Sequence, residues 1–553
     1  MPDGAPLRVR WLGRVAYEDA SALQHGLKER GGDYLLLLEH PHVYTLGVRA
    51  KSEHLLEGVF SSGASVVRAD RGGDVTYHGP GQLVGYPVLD VEMGSGAVPA
   101  HVARIEQLVI DVLSDLGLRG ASRLEGYPGV WMGGRDGAPR KICAIGVRVD
   151  RGRSMHGFAL NVDPEMSMFA NIVPCGIADK PVTSVAAEGV TATMEEVADL
   201  VARRAAQVLT DPARPVERQD ASARQADRRA PGPATAGGPV ELRPLGRRLA
   251  ASGVDLSSSV AIRERKPDYL RAPVRISREV VAMRAMMREL GLVTVCEEAG
   301  CPNLSECWAE GTATFMINGE RCTRACGFCL VDTRHPLPLD PGEPEHVAAA
   351  VRRLRLAHAV VTAVARDDLA DGGAGAFART IEAIRRHSPG TAVEVLIPDC
   401  KGDEASLQTI FGARPEVLNH NLETVLRLQR AVRPSASYAR SLSVLSRAKD
   451  TGLVTKSGII LGMGEREDEV LGALADLRSV GVDIVTIGQY LRPSAGHLPV
   501  ARWWRPDEFA ALAAAGGEMG FAHVEASPLA RSSYHARQAA EGRPPAGLGA
   551  TAS

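Results

Sequence analysis

Two periods of apolar and polar residues run along the chain and predict an α/β protein. Helical stretches with an apolar face are separated by short apolar runs that are typical of strands. In the helix predicted over 98–117, for example, Val102, Ile105, Val109 and Val112 recur at amphipathic spacing. Up to residue 210 the predicted strands are 34–40, 65–70, 83–90, 142–149 and 157–162, and the predicted helices are 17–30, 98–117 and 194–209.

From residue 313 onwards strands and helices alternate, which predicts parallel strands with crossover helices in a partial or nearly closed β/α barrel. Ligand sites of such barrels lie at the C-terminal ends of the strands. The predicted strands are 313–319, 357–364, 392–399, 417–421, 455–463, 484–491 and 524–529, and the predicted helices are 344–356, 374–388, 403–411, 438–452, 465–480 and 505–519.

The segment 211–243 separates these two regions and lacks either pattern. It carries mixed charges, alanine, proline and glycine with few apolar residues, which predicts a flexible linker. We therefore expect domains at 1–210 and 244–553. The linker could favour transfer of an intermediate from a site in one domain to a site in the other, or it could only keep the two domains in equal amounts.

Composition excludes several function classes. The chain has 553 residues, enough for two or three domains, with 64 Lys and Arg against 66 Asp and Glu. This balance gives no sign of nucleic acid or a membrane surface as a partner. The start of the chain has no apolar core of signal-peptide length, and no apolar run reaches the roughly eighteen residues of a membrane span. We expect a cytoplasmic protein with reduced thiols.

Six of the nine cysteines lie between positions 296 and 329 and form two sets of three. Cys322, Cys326 and Cys329 have the spacing CxxxCxxC, which can present three thiolates to one [4Fe–4S] cluster and leave one iron open. An open iron can chelate a small molecule, as in radical S-adenosylmethionine (SAM) enzymes. A zinc site usually has four ligands in paired spacing, so zinc is the weaker alternative, and a disulfide framework is weaker still.

The sequence around the cysteines resembles lipoyl synthase over about 244–540. The matching blocks include TVCEEAGCPNLSECW at 294–308, ATFMINGERCTRACGFC at 313–329, NHNLETV at 419–425 and RSSYHA at 531–536. The resemblance implies two [4Fe–4S] clusters, SAM and a ferredoxin- or flavodoxin-like electron donor. It assigns Cys322, Cys326 and Cys329 to the SAM cluster, and Cys296, Cys301, Cys307 and Ser533 to an auxiliary cluster that is consumed as sulfur donor.

Several other polar residues at the predicted strand ends have two interpretations. Gly458, Ile460, Gly462 and Glu465 match the GxIxGxxE run that lies against SAM in such proteins, but Glu465 could instead begin a helix. The hydroxyl of Ser533 could simply cap a turn. The polar side chains of four further residues could likewise cap turns only: Asn419, His420, Asn421 and Glu423. An electron carrier remains an alternative class, which observed SAM cleavage would dismiss.

In the N-terminal region, Lys141 opens a strand and Cys175 lies in a PCG loop. A lysine ammonium near a thiol favours the thiolate, the form that attacks acyl groups. The alternatives are a surface lysine and a buried structural cysteine. Cys143 is the rival thiol, because it points the same way as Lys141 on an alternating strand.

RGGDVTYHGPGQLVGYP at 71–87, RKICAIGV, HGFALNV and PCGI resemble octanoyl-[acyl carrier protein]:protein octanoyltransferase over about 7–209. The resemblance implies a thioester on Cys175, activation by Lys141, octanoyl-acyl carrier protein as donor, and lipoyl domains of 2-oxoacid dehydrogenases and glycine cleavage H protein as acceptors. A lipoate–protein ligase, which uses an adenylate, is the alternative. The implied substrate pocket comprises Arg71, Gly72, Gly73, Asp74, Val75, Thr76, Tyr77, His78, Ala144, Ile145, Gly146, Gly157, Phe158 and Ala159.

Together the two resemblances predict a bifunctional lipoylation enzyme. The first domain would load octanoyl onto a lysine of a lipoyl domain, and the second would insert sulfur at carbons 6 and 8 of that chain. Unactivated C–H bonds require a cofactor. A radical sulfur-insertion enzyme for a free small molecule is the remaining alternative, and the acyltransferase half argues against it.

Overall fold

The computed structural model describes residues 5–133, 138–177, 179–222, 244–271 and 312–533, with the isolated positions 281, 285–287, 289, 293–294 and 536. The chain divides into two compact units, Met1–Ala221 and Ser222–Ser553. Within the described ranges, none of the helices combines the length and apolar character needed to cross a membrane.

The N-terminal unit is built on an eight-stranded sheet of order β11-β1-β2-β6-β10-β9-β8-β7 and a small sheet of order β4-β3-β5. The large sheet is antiparallel except where β1 pairs with β2 and β11 in parallel. The strands are β1 Leu7–Arg14, β2 Tyr34–Glu39, β3 Val43–Leu46, β4 Ser65–Arg68, β5 Val75–His78, β6 Gln82–Val88, β7 Ala121–Leu124, β8 Tyr127–Met132, β9 Arg140–Asp150, β10 Arg153–Asn161 and β11 Val216–Asp220.

The helices of this unit are α1 Tyr17–Arg30, the one-turn α2 Gly58–Ser61, α3 Ala97–Asp115 and α4 Met194–Leu209. Ile105, Val109 and Val112 of α3 are buried against the large sheet as their spacing predicts. A reciprocal capping box between Thr193 and Glu196 begins α4. These elements enclose the main core, and a smaller apolar cluster lies under β3 and β5.

The linker prediction is wrong for its first part. Residues 216–220 form β11, which pairs with β1 in register Leu7 to Val216. Some of the charged side chains in the segment predicted as linker form ion pairs at this edge of the sheet. The carboxylate of Glu217 lies 3.1 Å from the guanidinium of Arg8 and 2.6 Å from that of Arg10. Residues 223–243, the rest of the predicted linker, lie outside the described residues.

The C-terminal unit contains one sheet in which seven consecutive strands, β13 to β19, pair in parallel and β12 adds an antiparallel edge. The sequential order with crossover helices is that of a partial β/α barrel and confirms the predicted fold class. The strands are β12 Val293–Thr294, β13 Thr312–Ile317, β14 His358–Ala363, β15 Ala392–Leu396, β16 Val417–Asn419, β17 Val454–Leu461, β18 Ile484–Gln489 and β19 His523–Ala526.

The described helices of this unit are α5 Pro244–Ala251, α6 Glu343–Leu354, α7 Ala374–His387, α8 Glu404–Gly412, α9 Gln429–Val432, α10 Tyr438–Asp450, α11 Glu467–Ser479 and α12 Pro506–Glu518. Two of them bury an apolar face in the core. Val347 and Val351 of α6, and Phe377, Ile381 and Ile384 of α7, are buried in the core around the parallel strands. The loops after the strands are therefore left on one edge of the sheet.

Candidate active sites

A cavity of about 500 Å³ in the N-terminal unit contains both Lys141 and Cys175 in its lining. Its volume is in the usual range for small-molecule sites. Of the residues implied by the resemblance, Arg71, Gly72, Gly73, Asp74, Thr76, His78, Ala144, Ile145, Gly146, Gly157 and Phe158 also line it.

Three residues of the implied pocket do not line this cavity. Val75 and Tyr77 alternate with Thr76 and His78 along β5, so they face the small apolar cluster on the other side. Ala159, on β10, is nearly fully buried. Strand alternation accounts for this separation within β5.

Cys175 is held in a conformation that L-residues rarely adopt. Its φ is 56° and its ψ is 17°, in the left-handed region. The next residue, Gly176, also has a positive φ of 69°, and a Cβ there would lie 2.7 Å from a carboxylate oxygen of Asp74. Backbone strain of this kind is concentrated at functional sites. The thiol is half-buried.

The rival thiol, Cys143, is fully buried on β9, and burial raises its pKa far above the ordinary value. A thiol in that state is protonated and enclosed, whereas an acyl acceptor must be an accessible thiolate. Cys143 therefore fits a structural role.

Lys141 is buried and its ammonium lies 4.7 Å from the centre of the Trp131 ring. An aromatic face attracts a cation, so this arrangement suits a positive charge in the cavity. A bulge between Val130 and Trp131 shifts the pairing of β8 with β9, so that Trp131 lies opposite Lys141.

Residues that the sequence did not single out also line the cavity. His54 Nδ1 and Asp74 Oδ2 form a hydrogen bond of 2.8 Å. The hydroxyl of Tyr17 has no hydrogen-bond partner among the described residues, and burial raises its pKa to about 12. Val84 adds an apolar wall beside Ile145 and Phe158. Neither a lone histidine nor a lone tyrosine in sequence carries a signal of such a site.

In the C-terminal unit, the three cysteines of CxxxCxxC follow β13 and are half-buried free thiols. Backbone bonds hold their loop, for example from Cys322 N–H to Asp332 O at 2.8 Å and from Gly327 N–H to Val432 O at 2.9 Å. His497 contacts Cys329 O at 3.0 Å. The loop is thus fixed from three neighbouring segments.

Arg324, inside the cysteine motif, ties this loop to two other strand ends. Its guanidinium donates to Asp367 at 2.7 and 2.8 Å and to the fully buried Asp399 at 2.6 Å. Despite the cost of burial, these hydrogen bonds raise the pKa of Arg324, so it stays charged. The sequence motif gave no sign of this network, because its acids are separated from it along the chain.

The cysteine loop fits a cluster better than a single ion. Among the residues that the structure describes, no group of three or more His, Cys, Asp or Glu could hold one metal ion. A cubane takes its thiolates on different irons, so they need not converge on one point. Burial raises the pKa of Cys326, and that of Cys329 to about 12, so bound iron would have to supply the charge that holds them as thiolates.

Two buried acceptors beside this loop lack partners and suit an amino group. Glu423 has a positive φ of 69°, and its Oε2 has no hydrogen-bond partner within the described residues. Asn421 donates to Glu423 at 3.0 Å and to Ser532 at 2.7 Å, whereas its Oδ1 is also unsatisfied in that part of the chain. Burial raises the pKa of Glu423. A ligand with an ammonium would satisfy both oxygens.

His420 has structural surroundings instead. Its ring contacts Ile397 O at 2.9 Å and Ser441 Oγ at 3.0 Å, and burial lowers its pKa to about 4. Asn419 is buried on β16 with its amide 3.4 Å from Glu394, and its Oδ1, like that of Asn421, has no hydrogen-bond partner within the described residues.

The GxIxGxxE run occupies the end of β17 and the turn after it. Gly458 is so closely packed that a Cβ would lie 2.8 Å from Asn421 Oδ1, while Ile460 is only half-buried. Glu465 does not begin a helix, because α11 starts at Glu467. Its Oε2 accepts backbone N–H groups of Gly462 at 2.8 Å, Met463 at 2.8 Å and Gly464 at 3.2 Å, so it shapes the turn.

The auxiliary set Cys296, Cys301 and Cys307 lies outside the described residues. Ser533 is described, half-buried in a turn. The neighbouring Ser532 is already engaged by Asn421. The two hydroxyls of RSSYHA therefore differ in their surroundings.

Comparison with known proteins agrees with the division of the chain into two units. The fold and the cysteine loop define a radical SAM protein with an additional domain of the lipoyl protein ligase A/B type. The Radical SAM superfamily model matches 316–477, and the model described as Lipoyl protein ligase A/B catalytic domain matches 14–206. A crystal structure of lipoate-protein ligase A bound with ATP matches 39% of this chain and 89% of its own at 16% identity, with a TM-score of 0.34.

The lipoyl synthase of Rubrobacter xylanophilus is 55% identical over 290 residues, which are 52% of this chain and 90% of that protein. The lipoyl synthase of Mycobacterium avium is 52% identical over 308 residues, covering 55% of this chain and 100% of that protein. The chain belongs to the lipoyl synthase family. It is a lipoylation enzyme that uses SAM and [4Fe–4S] clusters, including an auxiliary one, and carries a ligase- or octanoyltransferase-like domain.

Proposed function

We propose that the chain performs both steps of protein lipoylation. The N-terminal domain, 1–210 in the sequence-based division, moves octanoyl from acyl carrier protein to a lysine of a lipoyl domain. The C-terminal domain, 244–553, then converts the octanoyl chain to lipoyl by inserting sulfur at carbons 6 and 8. The lysine carriers are lipoyl domains of 2-oxoacid dehydrogenases and glycine cleavage H protein.

The observation that carries the first activity is the shared cavity of Lys141 and Cys175. Cys175 attacks the carrier thioester as a thiolate, and the ammonium of Lys141 stabilises that charge. The carbonyl carbon forms a bond to Cys175 sulfur as its bond to the carrier sulfur breaks. The apolar lining from Val84, Ile145 and Phe158 suits an alkyl chain.

The ligase alternative makes no use of a nucleophilic cysteine. A ligase activates its acid with ATP, so its cavity has to bind nucleotide and needs no thiol. The strained, half-buried Cys175 supports the transferase, since strain at a residue persists only where the surroundings fix it.

The test is to incubate the protein with octanoyl-acyl carrier protein and map the acylated peptide by mass spectrometry. We expect a hydroxylamine-sensitive octanoyl group on Cys175 in the absence of ATP. An octanoyl group on Cys143, or transfer to a lipoyl domain that requires ATP and free octanoate, would contradict the proposal. Cys143→Ala, which keeps the small buried volume, is the matched control.

For the second activity, Cys322, Cys326 and Cys329 would hold a cluster and leave its open iron to SAM. When bound, these groups supply a 5′-deoxyadenosyl radical, and the auxiliary cluster supplies sulfur. Arg324 keeps the loop fixed, whereas Glu423 and Asn421 offer their unsatisfied oxygens to the ammonium of SAM. The turn around Gly462 would lie against the adenine, with Glu465 holding its shape.

Ser533 is the proposed fourth ligand of the auxiliary cluster beside Cys296, Cys301 and Cys307. A hydroxyl is a weaker iron ligand than a thiolate, which suits an iron that leaves when sulfur is extracted. The electron donor would be a small redox protein such as ferredoxin or flavodoxin. Loss of SAM cleavage in Cys322→Ala, with octanoyl transfer retained, is the expected signature of this division.

A further inference from the structure

Octanoyl transfer to a lysine, as proposed above, ends with a proton that needs an acceptor. A lysine side chain is an ammonium in neutral water, so it must lose one proton to gain a lone pair and a second as the amide forms. Lys141 is already assigned to stabilising the Cys175 thiolate, and its ammonium lies 4.7 Å from the centre of the Trp131 ring. Another group of the cavity has to be considered.

His54 and Asp74 form a paired imidazole and carboxylate in the lining of this cavity. His54 Nδ1 is 2.8 Å from Asp74 Oδ2, and the two side chains are 16% and 13% exposed. A carboxylate can only accept, so in the neutral imidazole Nδ1 carries the hydrogen and Nε2 presents a lone pair. The nearest other acid is Glu53, with Oε1 4.0 Å from Nε2 and therefore beyond hydrogen-bonding distance.

The pair lies directly against the nucleophile turn. A Cβ at Gly176 would be 3.1 Å from Cε1 of His54, the ring carbon between the two nitrogens, and 2.7 Å from Asp74 Oδ2. The backbone of His54 is joined to the same loop, since its carbonyl accepts the N–H of Val173 at 2.9 Å. The imidazole is thus fixed beside the residue that follows Cys175.

We propose that His54 is the general base of the second half-reaction, oriented by Asp74. The lysine ammonium first loses one proton to water, and the lone pair that this frees forms the bond to the thioester carbonyl carbon. The bond from that carbon to Cys175 sulfur breaks, and its electron pair returns to sulfur as thiolate. The proton leaving nitrogen passes to Nε2 of His54 and from there to water.

The roles of Lys141 and His54 separate by half-reaction. Lys141 stabilises the Cys175 thiolate, which is needed for acylation, whereas His54 acts only when an amine attacks. The charged groups that face His54 are Asp74 and Glu53, with Arg49, Lys51 and Arg71 elsewhere in the same lining. All of them remain in a His54→Gln variant.

The test uses the full chain and measures the two half-reactions separately. Octanoyl-enzyme formation from octanoyl-acyl carrier protein is followed by intact mass, and the isolated octanoyl-enzyme is then mixed with a lipoyl domain. His54→Gln should lose much less in acylation than in transfer, and the acylation that remains reports correct folding. Its transfer to the lipoyl domain should be slower by about 10²-fold, as for loss of a general base.

Three further measurements separate base catalysis from a structural effect. Hydroxylamine, a nucleophile that is neutral in water, should discharge the octanoyl groups of wild type and His54→Gln at similar rates. Added imidazole should accelerate transfer to the lipoyl domain in the variant. Asp74→Asn should also lose transfer more than acylation, whereas His346→Gln, which disrupts the pair of His346 with Asp340 3.7 Å away in the C-terminal unit, should match wild type.

Equal transfer rates of wild type and His54→Gln from isolated octanoyl-enzyme would overturn the assignment. So would equal losses in acylation, lysine transfer and hydroxylamine discharge, because they indicate a distorted cavity. If wild type forms no octanoyl-enzyme at Cys175, the proposed transferase itself fails, and that outcome is distinct from either result on His54.

Discussion

The two sites hold their cysteines by different means. In the N-terminal unit a single thiol, Cys175, is placed by local backbone strain in a three-residue turn. In the C-terminal unit three thiols lie on a loop anchored by Arg324 to acids after two other strands. A strained turn can present one nucleophile with few partners, whereas a cluster needs several thiolates held together, and buried ion pairs provide that frame.

The largest expected effect is complete loss of one activity without loss of the other. Cys175→Ala should abolish octanoyl transfer and keep sulfur insertion into a lipoyl domain that already carries octanoyl. Cys322→Ala should do the reverse. Product masses of the lipoyl domain distinguish them, and a mixture of the two variants should restore lipoyl formation. Failure of the mixture would show that the two activities are not separable.

Arg324→Ala should destabilise the C-terminal unit strongly. It leaves Asp399 buried without its partner, at a cost of about 3–5 kcal/mol. Differential scanning calorimetry should show a lower melting temperature for the transition of that unit only. Arg353→Ala, which removes an exposed pair with Glu289, is the control and should change stability by less than about 1 kcal/mol.

The ion pair of Arg324 with Asp367 should make the stability of the C-terminal unit depend on pH. The hydrogen bond from Arg324 lowers the pKa of Asp367. A lowered carboxyl pKa contributes stability that is fully present above the unfolded value of about 4 and is lost as the pH falls through the folded value. In Arg324→Ala this contribution of Asp367 to the pH dependence of the free energy of unfolding should be absent. Equal acid dependence in both proteins would contradict the linkage.

Lys141→Ala should slow octanoyl-enzyme formation by roughly 10²-fold, because a positioned ionisable group typically contributes that much or more. Trp131→Leu should have a smaller effect on the same rate, since a cation–π contact contributes about 0.5–2 kcal/mol. Stopped-flow or quenched acylation measures both. A larger loss in Trp131→Leu than in Lys141→Ala would indicate that the ring acts on the fold instead.

The smallest effects are expected at the two hydroxyls of the RSSYHA segment. Ser533→Ala should slow lipoyl formation from octanoylated lipoyl domain by about tenfold, whereas SAM cleavage alone continues. Ser532→Ala removes the bond from Asn421 and should act on SAM affinity instead. An unchanged lipoyl rate in Ser533→Ala would show that this hydroxyl is not a cluster ligand.

In the N-terminal unit the three long helices were predictable from sequence, whereas six of the eleven described strands, β1, β3, β5, β7, β8 and β11, were not. Helices α1 and α4 begin and end at the predicted residues; α4 starts with a capping box, whereas α1 begins without a side-chain cap. Strand β11 was missed, since an edge strand with charged side chains lacks the apolar alternation that marks buried strands. The conformations of single residues within loops are set by tertiary contacts.

The same limit applies to the sites. The motif around Cys322 indicates the chemistry but not Asp399, which reaches Arg324 from a distant strand end. Likewise the resemblance points to Asp74 but not to His54, whose pairing with it depends on the chain folding back across twenty residues. Residue types and spacing indicate candidate ligands, whereas their partners depend on topology.

The central claim is that one chain carries out both steps in order. The most direct measurement incubates the reconstituted protein with octanoyl-acyl carrier protein, an unmodified lipoyl domain, SAM and a reductant, and follows the mass of the lipoyl domain in time. We predict an octanoyl mass first and a lipoyl mass after it, with neither formed by Cys175→Ala and only the first by Cys322→Ala. Lipoyl formation by Cys175→Ala at the wild-type rate would contradict the account.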